Sequence, residues 1–259
     1  MPDSGHPGQD GHCRICRDGE AFGAPLAFAF QPIVDVPARS VFAHEALVRG
    51  PRGEPAASVL AQVDDRNRYA FDQRCRRDAI AAAARLGLSE RLSINFMPNA
   101  IYRASACIQA TLRAADACGF PLDRIMFEIT ETERVRDVAH LVEIVTEYRR
   151  LGFLTALDDF GAGYSGLNLL AAFEPDIVKL DMDLTRALDS RPRSRVIVQS
   201  LVRLCEELGI AVIAEGVETA GERDALLDCG ITRMQGWLFA RAAFDALVQP
   251  DPGAWGAAR

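Results

Sequence analysis

The stretch FAFQPIVDVPARSVFAHEALVRG (28–50) decides the fold. Its two runs of strand character, near 27–34 and 40–48, are separated by only a Pro-containing turn. That predicts an antiparallel hairpin, because a parallel pair needs a crossover of about a dozen residues or more. Downstream, apolar runs near 92–97 (LSINFM), 125–130 (IMFEIT), 153–158 (FLTALD), 176–180 (DIVKL), 210–215 (IAVIAE) and 231–235 (ITRMQ) alternate with Ala/Leu/Arg-rich helical stretches. Eight strands in this order predict an α/β chain with a largely parallel sheet. At 259 residues the chain has the usual size of one (β/α)8 barrel. The expected fold is therefore a modified (β/α)8 TIM-like barrel with an antiparallel first strand. Helical patterns before the third, fifth and seventh runs each close on Leu-Gly, at 86–87, 151–152 and 208–209, a glycine terminator.

Outside the barrel lie a Cys- and Gly-containing segment at 1–24, expected to be flexible, and a tail at 249–259, expected to lack structure, so the folded domain is placed at 25–248. The start, MPDSGHPGQDGH, carries Gly, Pro and Asp where a secretory leader has a basic patch and an apolar run, so a cytoplasmic location is expected. Cys13 and Cys16 form a CxxC beside His6 and His12 that could supply zinc ligands or a redox pair, but the second pair of ligands of a closed zinc site is missing. They read as incidental thiols. Cys75, Cys107, Cys118, Cys205 and Cys229 sit in helical patterns among Ala and Leu, as small hydrophobes.

Apolar residues make up 49% and charged residues 25%, a globular balance, and no run approaches the roughly 20 apolar residues of a membrane span. The net charge of −7 gives no general attraction for duplex nucleic acid or an anionic bilayer. A phosphate-bearing ligand must be handled locally.

Local handling is written at the strand ends. Seven successive runs each carry a polar or ionisable side chain at or near the C-terminal end: Glu45, Asn95, Glu128, Asp158 followed by Asp159, Lys179, Glu215 and Gln235. Barrel sites are built at that end. Side chains two apart on a strand share a face, so Ser93 with Asn95, Met126 with Glu128, Ile177 with Lys179 and Ile213 with Glu215 place these groups in one mouth. Five carboxylates and one lysine leave a surplus near −4. Divalent cations would resolve it, and oxygen ligands with an Asn carbonyl suit Mg²⁺ or Mn²⁺. Two such ions are the usual apparatus for in-line hydrolysis of a phosphodiester.

At these residues the sequence resembles the EAL domain family of cyclic di-GMP phosphodiesterases. The resemblance covers about 26–245 through Gln31-Pro32-Ile33, HEALVRG (44–50), SIN (93–95), FEITE (127–131), LDDFGAGYSGL (157–167), DIVKLD (176–181), AEGVET (214–219) and MQGW (234–237). It implies a barrel with its first strand antiparallel and cyclic di-GMP as substrate, opened to linear pGpG with two Mg²⁺ or Mn²⁺ ions. By that resemblance Glu45, Asn95, Glu128 and Asp158 match the ligands of one metal, and Asp158, Asp159 and Glu215 those of the second. Lys179 matches the lysine that holds the attacking water, and Glu215 is left open as ligand or proton acceptor. Gln31 and Leu47 match positions that touch the nucleotide, and Gln235 one that reaches the site through water. Arg49 shares a strand face with Glu45, where a guanidinium can pair with a phosphate. Glu131 matches a residue that serves catalysis by pinning the loop 159–167. The resemblance also implies a homodimer through the helices flanking that loop.

The chain departs from the family pattern at Gly50, where Trp is frequent, and at Met97, where Ser is usual. With DRNRYAFDQ at 65–73, this variant resembles the EAL domains of blue-light BLUF receptors, some of which have lost catalysis and act by binding partners. An inactive module that binds cyclic di-GMP or a protein is the alternative to an enzyme.

Overall fold

The computed structural model describes residues 20–130, 137–163 and 166–256. Its strands are β1 (Ala27–Asp35), β2 (Ser40–Arg49), β3 (Arg91–Asn95), β4 (Ile125–Thr130), β5 (Leu154–Phe160), β6 (Ile177–Leu180), β7 (Ala211–Ala214), β8 (Arg233–Met234) and β9 (Ala243–Phe244). Helices α1 (Ala56–Leu60), α2 (Arg68–Arg85), α3 (Ala104–Cys107), α4 (Gln109–Cys118), α5 (Val138–Arg150), α6 (Gly166–Ala172), α7 (Met182–Thr185), α8 (Pro192–Leu208) and α9 (Ala220–Asp228) fill the connections.

Strands β2 to β8 run parallel in sequence order, and β1 closes the barrel between β8 and β2, antiparallel to both. The four-residue link 36–39 leaves no other arrangement, since it cannot cross the sheet. Arg39 takes a left-handed φ of 51° to make the turn, and Asp35 Oδ1 accepts the Ala38 N–H at 3.1 Å. The hairpin and the barrel expected from 28–50 are thus the observed ones.

Alternation along the strands separates two packing layers. Ile33, Ala43, Met126, Ala156, Ile177 and Ile213 fill the barrel interior. The opposite faces carry Phe30, Ile94, Phe127, Leu157 and Val178 into the larger core under the helices. Those helices present matching stripes, such as Leu141, Ile144, Val145 and Tyr148 on α5 and Val198, Val202 and Cys205 on α8. A register shift between Ile33 and Val34 leaves Phe42 unpaired opposite β1. Its ring is flanked by the guanidinium groups of Arg91 and Arg233, 4.6 and 4.0 Å away, at the end of the barrel remote from the strand C-termini. The glycine terminators act as expected: Gly152 and Gly209 have φ of 93° and 72°, which stop α5 and α8 without a Cβ clash.

Both expected boundaries need correction. Phe22 is buried and its ring meets Phe71 at 5.0 Å, while Arg74 donates to the Phe22 and Ala24 carbonyls at 2.9 Å, so packing begins before residue 25. At the other end the tail expected at 249–259 is instead folded over 250–256. Pro252–Trp255 form a 3-10 turn, Ala254 is buried, and Arg223 donates to its carbonyl at 2.8 Å. Trp255 supplies the apolar surface that holds the turn against Phe239. Cys13 and Cys16 lie outside the described residues. Four of the remaining cysteines are buried, and Cys118 is exposed, contrary to its expected place among the hydrophobes. The two-residue β9, which pairs with β1, was not anticipated because so short a run has no periodicity.

Candidate active site

Lys179 stands at the centre of the strand ends, fully buried. Its Nζ lies 2.7 Å from Glu215 Oε1, 2.9 Å from Asp158 Oδ1, 3.0 Å from Glu128 Oε1 and 3.5 Å from Glu45 Oε2. These carboxylates come from β2, β4, β5 and the end of β7, so five strands converge as parity predicts. Glu45 is the most fully paired: Asn95 donates to its Oε1 and Gln235 to its Oε2, both at 2.9 Å. Gln235 also reaches Gln31 Oε1 at 3.3 Å, and Gln31 donates to the Ala240 carbonyl at 3.1 Å.

Asp158 and Asp159 are neighbours, and a regular strand would send their side chains to opposite faces. A register irregularity between Leu157 and Phe160, with a left-handed φ of 55° at Asp159, turns both toward the mouth. Carboxylate oxygens of Asp158, Asp159 and Glu215 lie within 4.8 Å of one another, a spacing that can hold a metal ion.

Electrostatics make the crowding costly. Burial drives the Glu128 carboxyl well above the usual range, and it raises Asp158. Burial and then the Asp158 charge push Asp159 up to about 6, while burial and the neighbouring carboxylates outweigh Lys179 and push Glu215 up to about 8. Burial also works to raise Glu45, but Lys179, Gln235 and Asn95 outweigh it and hold it below the usual range. Lys179 is raised far above its ordinary value by four carboxylates despite its burial. Both Glu128 oxygens and Asp158 Oδ1 are buried without a hydrogen bond of good geometry, and Lys179 Nζ faces Glu128 Oε1 and Asp158 Oδ1. Hard oxygen donors with spare lone pairs and surplus negative charge fit divalent cations of the Mg²⁺ or Mn²⁺ kind.

Glu45, Asp158, Asp159 and Glu215 open onto a cavity of about 480 Å³ that Gln31 and Gln235 also line, while Glu128 and Lys179 lie buried beneath it. Its outer wall is Asp181, Met182, Arg186, Glu218 and Trp237, which strand parity does not reveal because they follow the strands, Met182 on α7 and the others on loops. Asp181 and Trp237 could have been taken from the motifs DIVKLD and MQGW that contain them. The two loops of this wall are tied together. Thr185 donates to the Glu215 carbonyl at 2.6 Å, and the Glu222 carboxylate accepts the N–H groups of Ala187, Glu218 and Thr219 at 2.7, 2.9 and 3.0 Å.

Leu47 and Asn95 line a second, more apolar cavity of about 270 Å³ beside the first, with Phe71, Asp72 and Met97. Arg49 lines neither cavity and donates to the Val48 carbonyl at 2.8 Å. Glu131 lies outside the described residues.

Residues 23–242 match the EAL domain family. Among solved structures, the chain is 48% identical to a standalone EAL protein from Vibrio cholerae O395 in its c-di-GMP-bound form, with a TM-score of 0.88 over 92% of this chain and 100% of that one. A manganese and cyclic di-GMP complex of Klebsiella pneumoniae BlrP1 is 37% identical, with a TM-score of 0.83 over 88% of this chain and 59% of that one. The blue light- and temperature-regulated antirepressor BluF of Escherichia coli is 33% identical over 85% of this chain. The cyclic di-GMP phosphodiesterase RocR of Pseudomonas aeruginosa is 40% identical over 47% of it. The chain spans 55% of BluF and 31% of RocR. With the family matched across most of its length and the antiparallel first strand in place, this chain belongs to the EAL domain family.

Proposed function

We propose that the chain is a metal-dependent phosphodiesterase that hydrolyses cyclic di-GMP to linear pGpG. One observation carries the reading: Glu45, Asn95, Glu128, Asp158, Asp159, Lys179 and Glu215 are all present, and the four strand-end carboxylates surround one lysine beside one cavity. The ligand-bound V. cholerae and BlrP1 relatives support the choice of nucleotide. Glu45, Asn95, Glu128 and Asp158 would hold one Mg²⁺ or Mn²⁺, and Asp158, Asp159 and Glu215 the other. Bound there, the ions would make water nucleophilic near neutral pH and offset the charge of the phosphate.

The chain's own groups do the rest. The Lys179 ammonium donates to the water and to the phosphoryl oxygen as charge develops there. The water oxygen bonds to phosphorus as the bond from phosphorus to O3′ breaks, and the water's proton ends on that leaving oxygen. Glu215 is either a ligand or the group that takes the proton first. By the resemblance Gln31 and Leu47 would touch the nucleotide, Arg49 would pair with a phosphate, Gln235 would reach the site through water, and Glu131 would pin the loop 159–167. A homodimer through the helices flanking that loop goes with this reading, and exposed Leu167 on α6 supports it. So does a cytoplasmic location. No helix among the described residues is long and apolar enough to cross a membrane.

The likeness to BluF, named as an antirepressor, favours a second reading in which the module binds without turnover. Incubating pure protein with cyclic di-GMP and Mg²⁺ or Mn²⁺, then separating the nucleotides by chromatography, decides between them. Formation of pGpG supports the enzyme; bound but intact cyclic di-GMP supports the module.

A further inference from the structure

Behind the site, on the outer side of β3 and β4, a charged side chain is sealed in the core. Arg76 of α2 is completely buried, with its guanidinium 5.0 Å from the Phe96 ring, 5.1 Å from Phe127 and 5.7 Å from Tyr148. Its Nη1 donates to the Tyr148 hydroxyl at 2.6 Å, and its Nη2 lies 2.7 Å from Asp72 Oδ2. The other Asp72 oxygen accepts the Met97 N–H at 2.9 Å. A buried ion pair is often no more stabilising than apolar groups of the same volume, so stability alone does not account for its presence.

Its position suggests another role. Phe96 follows Asn95 and Phe127 precedes Glu128, and strand alternation sends each ring outward while its neighbour points to the mouth. Asn95 and Glu128 are themselves register partners across β3 and β4, and the Phe96 N–H donates to the Glu128 carbonyl at 3.0 Å. The guanidinium thus lies against the rings next in sequence to these two side chains, and Asp72 ties down the chain two residues beyond Asn95.

We propose that Asp72, Arg76 and Tyr148 form a positioning unit that sets Asn95 and Glu128 for metal binding. The inference rests on the reading of the mouth as a two-metal site. Groups that orient metal ligands are typically worth about 10 to 100-fold in metal affinity.

The test uses the full chain carrying Asp72→Asn with Arg76→Met, which removes both charges together, and separately Tyr148→Phe, which keeps the ring. Mn²⁺ binding is measured by calorimetry, stability by thermal unfolding, and KM and kcat for cyclic di-GMP at saturating Mn²⁺. Expected is a double variant that unfolds at or above the wild-type temperature, binds Mn²⁺ about 10 to 100-fold more weakly and keeps its KM. Tyr148→Phe should weaken Mn²⁺ binding in the same direction. Wild-type Mn²⁺ affinity in the folded double variant overturns the inference and leaves the metal reading standing. Should the double variant fail to fold, unaltered Mn²⁺ binding in Tyr148→Phe overturns it instead. If the wild-type chain itself takes up no Mn²⁺, the metal reading fails and the inference with it.

Discussion

Asp158 and Asp159, adjacent in sequence, both line the same cavity because Asp159 adopts a left-handed backbone conformation at the end of β5. This geometry brings carboxylate oxygens of Asp158, Asp159 and Glu215 within 4.8 Å of one another, and in the proposed two-metal site Asp158 would be the ligand shared by both ions. The strained φ at a non-glycine residue is sustained by the β5–β6 pairing on either side of the irregularity, Leu157 with Val178 and Phe160 with Leu180.

Asp158→Asn is expected to abolish hydrolysis of cyclic di-GMP while the far-UV circular dichroism stays that of the wild type. The shape is kept and the shared charge is lost. Retention of more than about a tenth of the wild-type kcat would falsify the shared-ligand assignment.

Lys179→Ala should lower kcat far more than it weakens cyclic di-GMP binding, since the ammonium is placed for charge that develops during the reaction. Equal losses in binding and in kcat/KM, with kcat unchanged, would assign the lysine to ground-state recognition. The metal-free variant should also unfold at lower temperature at pH 8, because Glu45, Glu128, Asp158 and Glu215 lose their common counter-charge.

The site predicts how the metal-free protein responds to pH. Asp159 near 6 and Glu215 near 8 are carboxyls raised above their unfolded values, so between those values the folded chain holds more protons than the unfolded one. Their contribution is full below the unfolded pKa and is lost as pH rises through the folded pKa. Thermal unfolding of metal-free protein should therefore fall in temperature from about pH 5 to about pH 8.5. Mn²⁺ affinity should climb over the same range, because binding displaces those protons. A flat apo profile that Glu215→Gln leaves unchanged would count against the burial of these charges.

Glu131→Ala tests the anchoring role implied by the resemblance. Misplacing Asp159 should weaken metal affinity by about 10 to 100-fold, with partial recovery of activity at high Mg²⁺ or Mn²⁺. Superimposable activity curves against metal for both proteins would remove that role and leave Glu131 as a cap for the following chain.

Deleting 251–259 should destabilise the chain by about 1–3 kcal/mol in urea unfolding, since Arg223 loses its bond to the Ala254 carbonyl and Trp255 no longer covers Phe239. Turnover at saturating substrate should be unchanged, the turn being no part of the cavity. No change in the urea midpoint would return this segment to a loose tail.

The hairpin at 28–50 was legible because a four-residue link admits one strand direction, and the site because side chains on a strand alternate. Glu45, Asn95, Glu128, Lys179 and Glu215 needed only that period of two and their places at strand ends. Tertiary structure decided how what lies off that pattern reaches the cavity. Asp159 joins Asp158 through a backbone irregularity; Asp181, Arg186, Glu218 and Trp237 arrive on loops whose course depends on what they pack against. Arg76 reads in sequence as one more cation in RCRRD, and only folding sets it against Tyr148, 72 residues away. A burial that strips a guanidinium of water is made by several elements together. No local stretch of sequence carries it.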